Sequence, residues 1–143
     1  MKKNTNNKGV LIKGSVEKIP QEMIEDESFR KYLRKVMKDW CGIYVLYKDE
    51  EVFYVGQTNS SFWRLWTHFK RSANAGKWNK FSVFKLKAEH LDDLESLILH
   101  ISKPKGNTNI PRIPKDREFT TAIKREAKEA RKKAQRLERA IQN

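Results

Sequence analysis

The sequence predicts a mixed α/β fold of the α+β kind: a small three-stranded, mainly antiparallel sheet flanked by helices, with an N-terminal helical extension and a C-terminal basic helix. Three observations carry that expectation. Two runs rich in β-branched and aromatic residues, 42–47 (GIYVLY) and 52–57 (VFYVGQ), are separated only by the polar stretch KDEE, as in a β-hairpin. A third run, 81–87, alternates Phe81, Val83 and Phe84, Leu86 with polar residues, as a strand does. The segments around these strands carry apolar residues at helical spacing instead.

In chain order, residues 1–14 are rich in Asn, Lys and Gly, with Val10, Leu11 and Ile12 as their apolar cluster, and read as a loose arm or a short edge strand. From Pro20 onward Met23, Ile24, Phe29, Leu33, Val36 and Met37 fall near helical spacing, with acids early and bases late, so one helix or two short ones are expected. After the hairpin, residues 59–61 can cap a helix over about 62–74 that ends before Gly76. Leu91, Leu94, Leu97, Ile98 and Ile101 define the buried stripe of a further helix, which stops ahead of Pro104. A Pro-containing stretch, GNTNIPRIPK, then leads into a long helix from about Asp116. Its apolar positions, Phe119, Ile123, Ala127, Ala130, Ala134, Leu137 and Ile141, step by four and three, a heptad seam thinned by alanine. The expected organisation is an arm and helical extension over 1–40, a central module over 41–112 and a basic helix over 113–143.

Composition narrows the class. A chain of 143 residues supports one domain with a core plus appended helices. The formal net charge of +13 favours a polyanionic partner, with nucleic acid ahead of an anionic membrane. The excess is spread: residues 1–39 hold 10 basic and 6 acidic side chains, 40–114 hold 11 and 7, and 115–143 hold 10 and 5. A lone cysteine, Cys41, forms no intrachain disulfide and is too few for a cysteine-based zinc site, which fits a reducing, cytoplasmic compartment. No apolar run approaches the ~18 residues of a membrane span and no secretory signal is visible, so no membrane partner is expected.

The residues that could carry chemistry lie in the central module. Tyr44 and Tyr54 stand at matching places in the hairpin; read alone, such a pair is ordinary cross-strand packing. In the next helix Phe62, Leu65, Trp66 and Phe69 share one side while Arg64, His68 and Arg71 share the other, a cationic face with no acid anywhere in the helix. In the helix after the third strand, Glu95 sits at the rim of the apolar stripe, where a metal ligand would sit, whereas Asp93 points away.

Taken together and in order, these residues resemble the GIY-YIG nuclease family over roughly residues 41–110. The match runs as GIY (Gly42, Ile43, Tyr44), then YVG (Tyr54, Val55, Gly56), then Arg64 eight residues past that glycine with His68 one turn later, then Glu95, then Asn107 twelve residues further on in KPKGN. Val55 replaces the motif's isoleucine, and Asn109 could exchange roles with Asn107.

The resemblance implies a metal-dependent DNA endonuclease that hydrolyses phosphodiester bonds by a one-metal mechanism and leaves 5′-phosphate and 3′-hydroxyl ends. It gives Glu95 a hydrated Mg2+, for which Mn2+ can substitute, because a carboxylate with phosphate oxygens suits a hard ion that keeps its waters. It gives Arg64 the developing phosphorane charge and Tyr44, with Tyr54 or His68, the proton of the attacking water. A free phenol ionises near pH ~10, so such a base needs positive charge beside it. Asn107 fixes geometry near the tyrosine pair or the scissile phosphate.

DNA, duplex or branched, is the expected partner, contacted by Arg71 and Lys70 in the module and by Arg125, Lys128, Lys132 and Arg136 on the C-terminal helix, whose alanine seam could also join a second copy into a homodimer. The rival expectation is a noncatalytic nucleic-acid-binding protein that keeps the fold and stacks bases on Trp63 and Trp78.

Overall fold

The computed structural model describes residues 11–58, 66–67 and 74–142. By its internal contacts the chain divides into two units, Met1–Arg112 and Ile113–Asn143.

The first unit is built on a four-stranded antiparallel sheet, not the three strands expected. β1 (Ile12–Pro20), β2 (Gly42–Lys48), β3 (Glu51–Thr58) and β4 (Lys80–Leu86) lie in the order β1-β4-β2-β3. The additional strand is β1, an edge strand of which the sequence suggested only a short piece within 1–14, paired with β4 from Ile12↔Leu86 to Pro20↔Lys80. Its faint signal has a physical cause. As an edge strand it is mostly exposed and carries Lys13, Glu17 and Lys18 where a central strand would carry Val or Ile. Its register shifts between Val16 and Ile19, where Lys18 adopts a positive φ of 53° and its N–H donates to the buried Ser82 hydroxyl at 2.9 Å.

β2 is the central strand for function, buried along Gly42–Tyr47 and paired on both sides. The β2–β3 hairpin turns at Asp49, whose φ of 56° an aspartate tolerates. Asn79 braces that turn: its Oδ1 accepts from the Asp49 N–H at 2.8 Å and its Nδ2 donates to Asp49 Oδ1 at 2.9 Å.

Each sheet face is covered by its own helix. The segment after Pro20 resolves into two pieces, a 3-10 turn at Gln21–Ile24 and α1 (Glu27–Val36), whose first turn is capped by Asp26 accepting from the Phe29 N–H at 2.7 Å. The break leaves Met23 and Val36 on the surface, while Ile24, Leu33 and Met37 pack with Tyr44, Leu46, Trp78, Phe81 and Val83. Trp78, expected as a possible base-stacking residue, is 1% exposed and belongs to this core. α2 (Leu91–Ser102) packs against the opposite face, on Ile43, Val45, Val55 and Leu86. There too the buried stripe differs from expectation: Leu91 and Leu99 are buried, with Leu94 and Ile98 packed on them, but Leu97 and Ile101 face solvent.

The second unit is α3 (Arg117–Gln142), a helix of 26 residues started by Asp116, whose Oδ1 accepts from the Phe119 N–H at 2.8 Å. No residue along it is buried, and Phe119, Ile123, Leu137 and Ile141 are exposed. Among the described residues no helix is long and apolar enough to cross a membrane.

Candidate active site

The site begins with the register of the hairpin. Tyr44 pairs with Gly56 and Leu46 with Tyr54, so Tyr44 and Tyr54 project from the same sheet face, and their rings stack at 6.0 Å between centroids with 25° between planes. Gly56 makes this possible: a Cβ there would overlap the Tyr44 phenol, hydroxyl included. Gly42 lies equally close to the Phe84 carbonyl of β4. The glycines of GIY and YVG are therefore packing requirements of the strands that present the tyrosines. Tyr44 is buried at 2% exposure, and Tyr54 is the more accessible of the two.

The outer edge of β3 gathers the remaining site residues. β3 is an edge strand, so alternate N–H and C=O groups point away from β2 and require partners. Gly106 donates its N–H to the Phe53 carbonyl at 2.8 Å. Asn107 then pairs with Val55 through both ends of its amide: Oδ1 accepts from the Val55 N–H at 2.9 Å and Nδ2 donates to the Val55 carbonyl at 2.8 Å. Its side chain does what a neighbouring strand would do. Asn109, the alternative, is exposed. Two residues further along β3, the Gln57 N–H donates to the Glu95 carboxylate.

Glu95 is half-buried on α2, and burial is the larger cause that raises its carboxyl above the ordinary carboxylate range. The negative charge of Asp92, one helical turn earlier, raises it further, while the Gln57 hydrogen bond pulls the other way. Asp92 accepts from Gln57 Nε2 at 2.6 Å, so one glutamine ties both carboxylates to the strand edge. Asp92 and Gln57 are the residues that sequence reasoning missed. The signal was available: Asp92 is three residues before Glu95, hence on the same side of a helix, and Gln57 is two after Val55, hence on the same strand edge.

These side chains are all oxygen donors, and two like charges sit one turn apart with no salt bridge to either among the described residues. That donor set fits a hard divalent cation, whose charge would offset the repulsion that Asp92 imposes on Glu95. Among the described residues no group of three or more His, Cys, Asp or Glu side chains gathers in metal-binding fashion.

Arg64, His68, Lys70 and Arg71 lie outside the described residues, as does Trp63; of the helix expected over 62–74, Trp66 and Thr67 are described and helical, and Asn74 is in a turn. Arg125, Lys128, Lys132 and Arg136 stand exposed along α3, where Arg125 and Lys132 pair with Glu126 and Glu129 at 3.6 and 3.1 Å.

This fold has solved counterparts. One is the N-terminal endonuclease domain of UvrC from Thermotoga maritima bound to magnesium as its catalytic divalent cation, with 15% identity and a TM-score of 0.46 over 58% of this chain and 99% of that one. Another is a point mutant of the same domain bound to its catalytic divalent cation, at 13% identity and a TM-score of 0.47 over 59% and 99%. Both are GIY-YIG endonuclease domains. No family model and no curated protein matches the sequence.

Proposed function

We propose that this chain is a metal-dependent DNA endonuclease in which residues 41–112 hold the reaction centre. The observation that carries this reading is the convergence on one strand of the stacked Tyr44–Tyr54 pair and the Glu95–Asp92 carboxylates, the former on a face of β3 and its neighbour, the latter at its outer edge.

Glu95 would hold Mg2+ or Mn2+, with Asp92 close enough to help through its charge. The ion, when bound, supplies positive charge at a phosphate oxygen where the transition state gathers negative charge. The residues of the chain do the rest. Tyr54, the accessible ring, and Tyr44, the buried one, form a unit that accepts the proton of the attacking water. Arg64 holds the developing phosphorane charge by its permanently cationic fork, and His68 is assigned to help the tyrosine pair take the proton. Asn107 is assigned a positioning role: by fixing the Val55 backbone it fixes Tyr54 and Gly56 on either side. The products would be 5′-phosphate and 3′-hydroxyl ends.

DNA is gripped by basic side chains, Lys70 and Arg71 of the 41–112 segment and Arg125, Lys128, Lys132 and Arg136 on α3. The alanine seam of α3 is the surface on which a second copy would pack, and a cytoplasmic setting agrees with the single half-buried Cys41.

The test is incubation of the full chain with supercoiled and linear plasmid in Mg2+, Mn2+ or EDTA, beside Glu95→Ala. Metal-dependent nicking or linearisation that the variant lacks is the expected result. Salt-sensitive DNA binding by both proteins with no cleavage by either would replace this reading with a noncatalytic binding module. Arg64→Ala should add roughly 3 kcal/mol or more to the barrier, seen as a fall in turnover of at least a hundredfold.

A further inference from the structure

A second basic feature lies along β3, past the Asn107 clamp. It is an open cleft of about 700 Å3 with Lys48, Lys77, Lys103 and Lys105 around Val52 and Phe53, and Glu51 is the acid in its lining. The four lysines come from three places in the chain: the end of β2, the loop before β4 and the turn after α2. All are exposed, and among the described residues none is joined to a carboxylate by a salt bridge. The contrast with nearby Lys80 and Lys18 is direct, since both of those are held by Glu50, at 2.6 and 3.2 Å.

Ordinary structural reasons do not account for the set. A lysine at the C-terminus of α2 complements the helix dipole, which covers Lys103. Yet Lys103 has a φ of 43°, where glycine is the usual residue, and Lys48 and Lys77 cap no helix. The turn that bears Lys103 and Lys105 is fixed, because the Gly106 N–H bonds Phe53 and Asn107 bonds Val55. The same clamp that positions Tyr54 therefore also presents two of the cations.

Two independent rulers set the separation. Along β3, Gln57 to Phe53 spans about 13 Å. Along α2, Glu95 to Lys103 spans about 12 Å. Both exceed the rise of about 3.4 Å per nucleotide along the duplex axis, so a strand seated at Glu95 must continue past the reacting bond to reach the cleft.

We propose that this cleft is a second phosphate-binding site, which takes the DNA backbone beyond the phosphate at Glu95. The proposal rests on the nuclease reading. It adds Lys48, Lys77, Lys103 and Lys105 to the DNA-contacting residues and makes the substrate a strand that continues past the reacting bond.

Binding of a fluorescent duplex by the full chain in EDTA, over a range of KCl concentrations, tests it without requiring cleavage. Each phosphate contact contributes about 0.9 to the slope of log K against log salt, so Lys103→Ala with Lys105→Ala should lower that slope by about two. Lys48→Ala with Lys77→Ala should do the same from the opposite wall, which a local disturbance of one loop would not produce. The charge-matched control is Lys13→Ala with Lys87→Ala, in a separate cleft beside Cys41, and its slope should change by less than half as much.

Equal losses in all three variants would overturn the site in favour of diffuse charge. Saturable binding of inorganic phosphate that the Lys103/Lys105 variant lacks, with unchanged DNA slopes, would make it a site for a free anion and overturn it also. Wild-type protein that binds no DNA would overturn the nuclease reading itself, whereas wild-type binding with unshifted cleft variants removes only the site.

Discussion

The two outer edges of the sheet present the same backbone problem and solve it differently. Among the described residues no strand pairs with the outer edge of β1, which carries Lys13, Glu17 and Lys18. β3 has its edge closed by specific groups: the Gly106 N–H on Phe53, the Asn107 amide on Val55 and the Glu95 carboxylate on Gln57. The closed edge is the one that bears the candidate chemistry, so Glu95 and Asn107 both hold the strand and belong to the proposed site. A variant at either position therefore mixes structural and chemical loss unless the substitution is chosen to separate them.

The largest effect should come from a substitution that keeps the edge closed but removes the charge. Glu95→Gln retains an oxygen that can accept from the Gln57 N–H, so thermal unfolding should stay near wild type while cleavage falls by at least about a thousandfold, as expected when a central electrostatic group is lost. An active Glu95→Gln enzyme would mean that this carboxylate holds no metal. Asn107→Ala should invert the pattern. It strands a donor and an acceptor of Val55 at a part-buried edge, which costs about 2–3 kcal/mol of stability by denaturant unfolding. Asn107→Asp should recover little, because it keeps the acceptor for the N–H but turns a negative oxygen toward the Val55 carbonyl.

Gly56→Ala probes the face rather than the edge. The added methyl must displace the Tyr44 ring, so about 1–3 kcal/mol of stability should be lost together with the tyrosine stacking, which tyrosine ring resonances in NMR would report. Unchanged tyrosine signals would show that the two rings do not depend on that glycine.

How much of this was legible in the sequence divides along the same line. The hairpin was readable from its β-branched and aromatic runs, β4 and α2 because burial on one side imposes a period, and α3, along which no residue is buried, from apolar residues that step by four and three. β1 was not, because an exposed edge strand needs no apolar alternation and carries charges instead. Tyr44, Tyr54, Glu95 and Asn107 were legible through spacing and resemblance, and the structure brings them to β2, to β3 and to its outer edge. The hydrogen bonds of Asn107 to Val55 were not legible, since a bond between positions 52 residues apart leaves no local pattern. The lysine cleft was missed for a related reason: its four cations are dispersed in sequence and look like solvated surface until the turn after α2 is tied to Phe53.

A smaller effect concerns the pairing of Glu95 with Asp92. With its folded carboxyl raised above the unfolded value, Glu95 favours the fold when protonated, and that contribution is lost as pH rises through the folded value. Asp92→Asn removes one cause of the raise, so the Glu95 midpoint, followed by NMR titration, should fall while burial keeps it above an ordinary glutamate. A cation held by Glu95 should act in the same direction: Mg2+ should raise Tm where Glu95 is ionised and leave it unchanged where Glu95 is protonated. An equal Mg2+ effect at both ends of the titration would place the ion elsewhere.

The smallest effect belongs to the open edge, and its smallness is what the comparison requires. Lys13→Ala and Glu17→Ala remove side chains that keep solvent and other strands at bay but complete no bond of β1 in the way that Asn107 completes Val55. Each should change monomer stability by less than about 0.5 kcal/mol. What they should change is association: with both charges gone, Lys18 is the charge left on β1, so light scattering should show more self-association than wild type at high salt, where the remaining charges are screened. If instead the double variant loses stability on the scale of Asn107→Ala, the β1 edge is held as specifically as that of β3, and the link between a closed edge and the reaction centre loses its meaning.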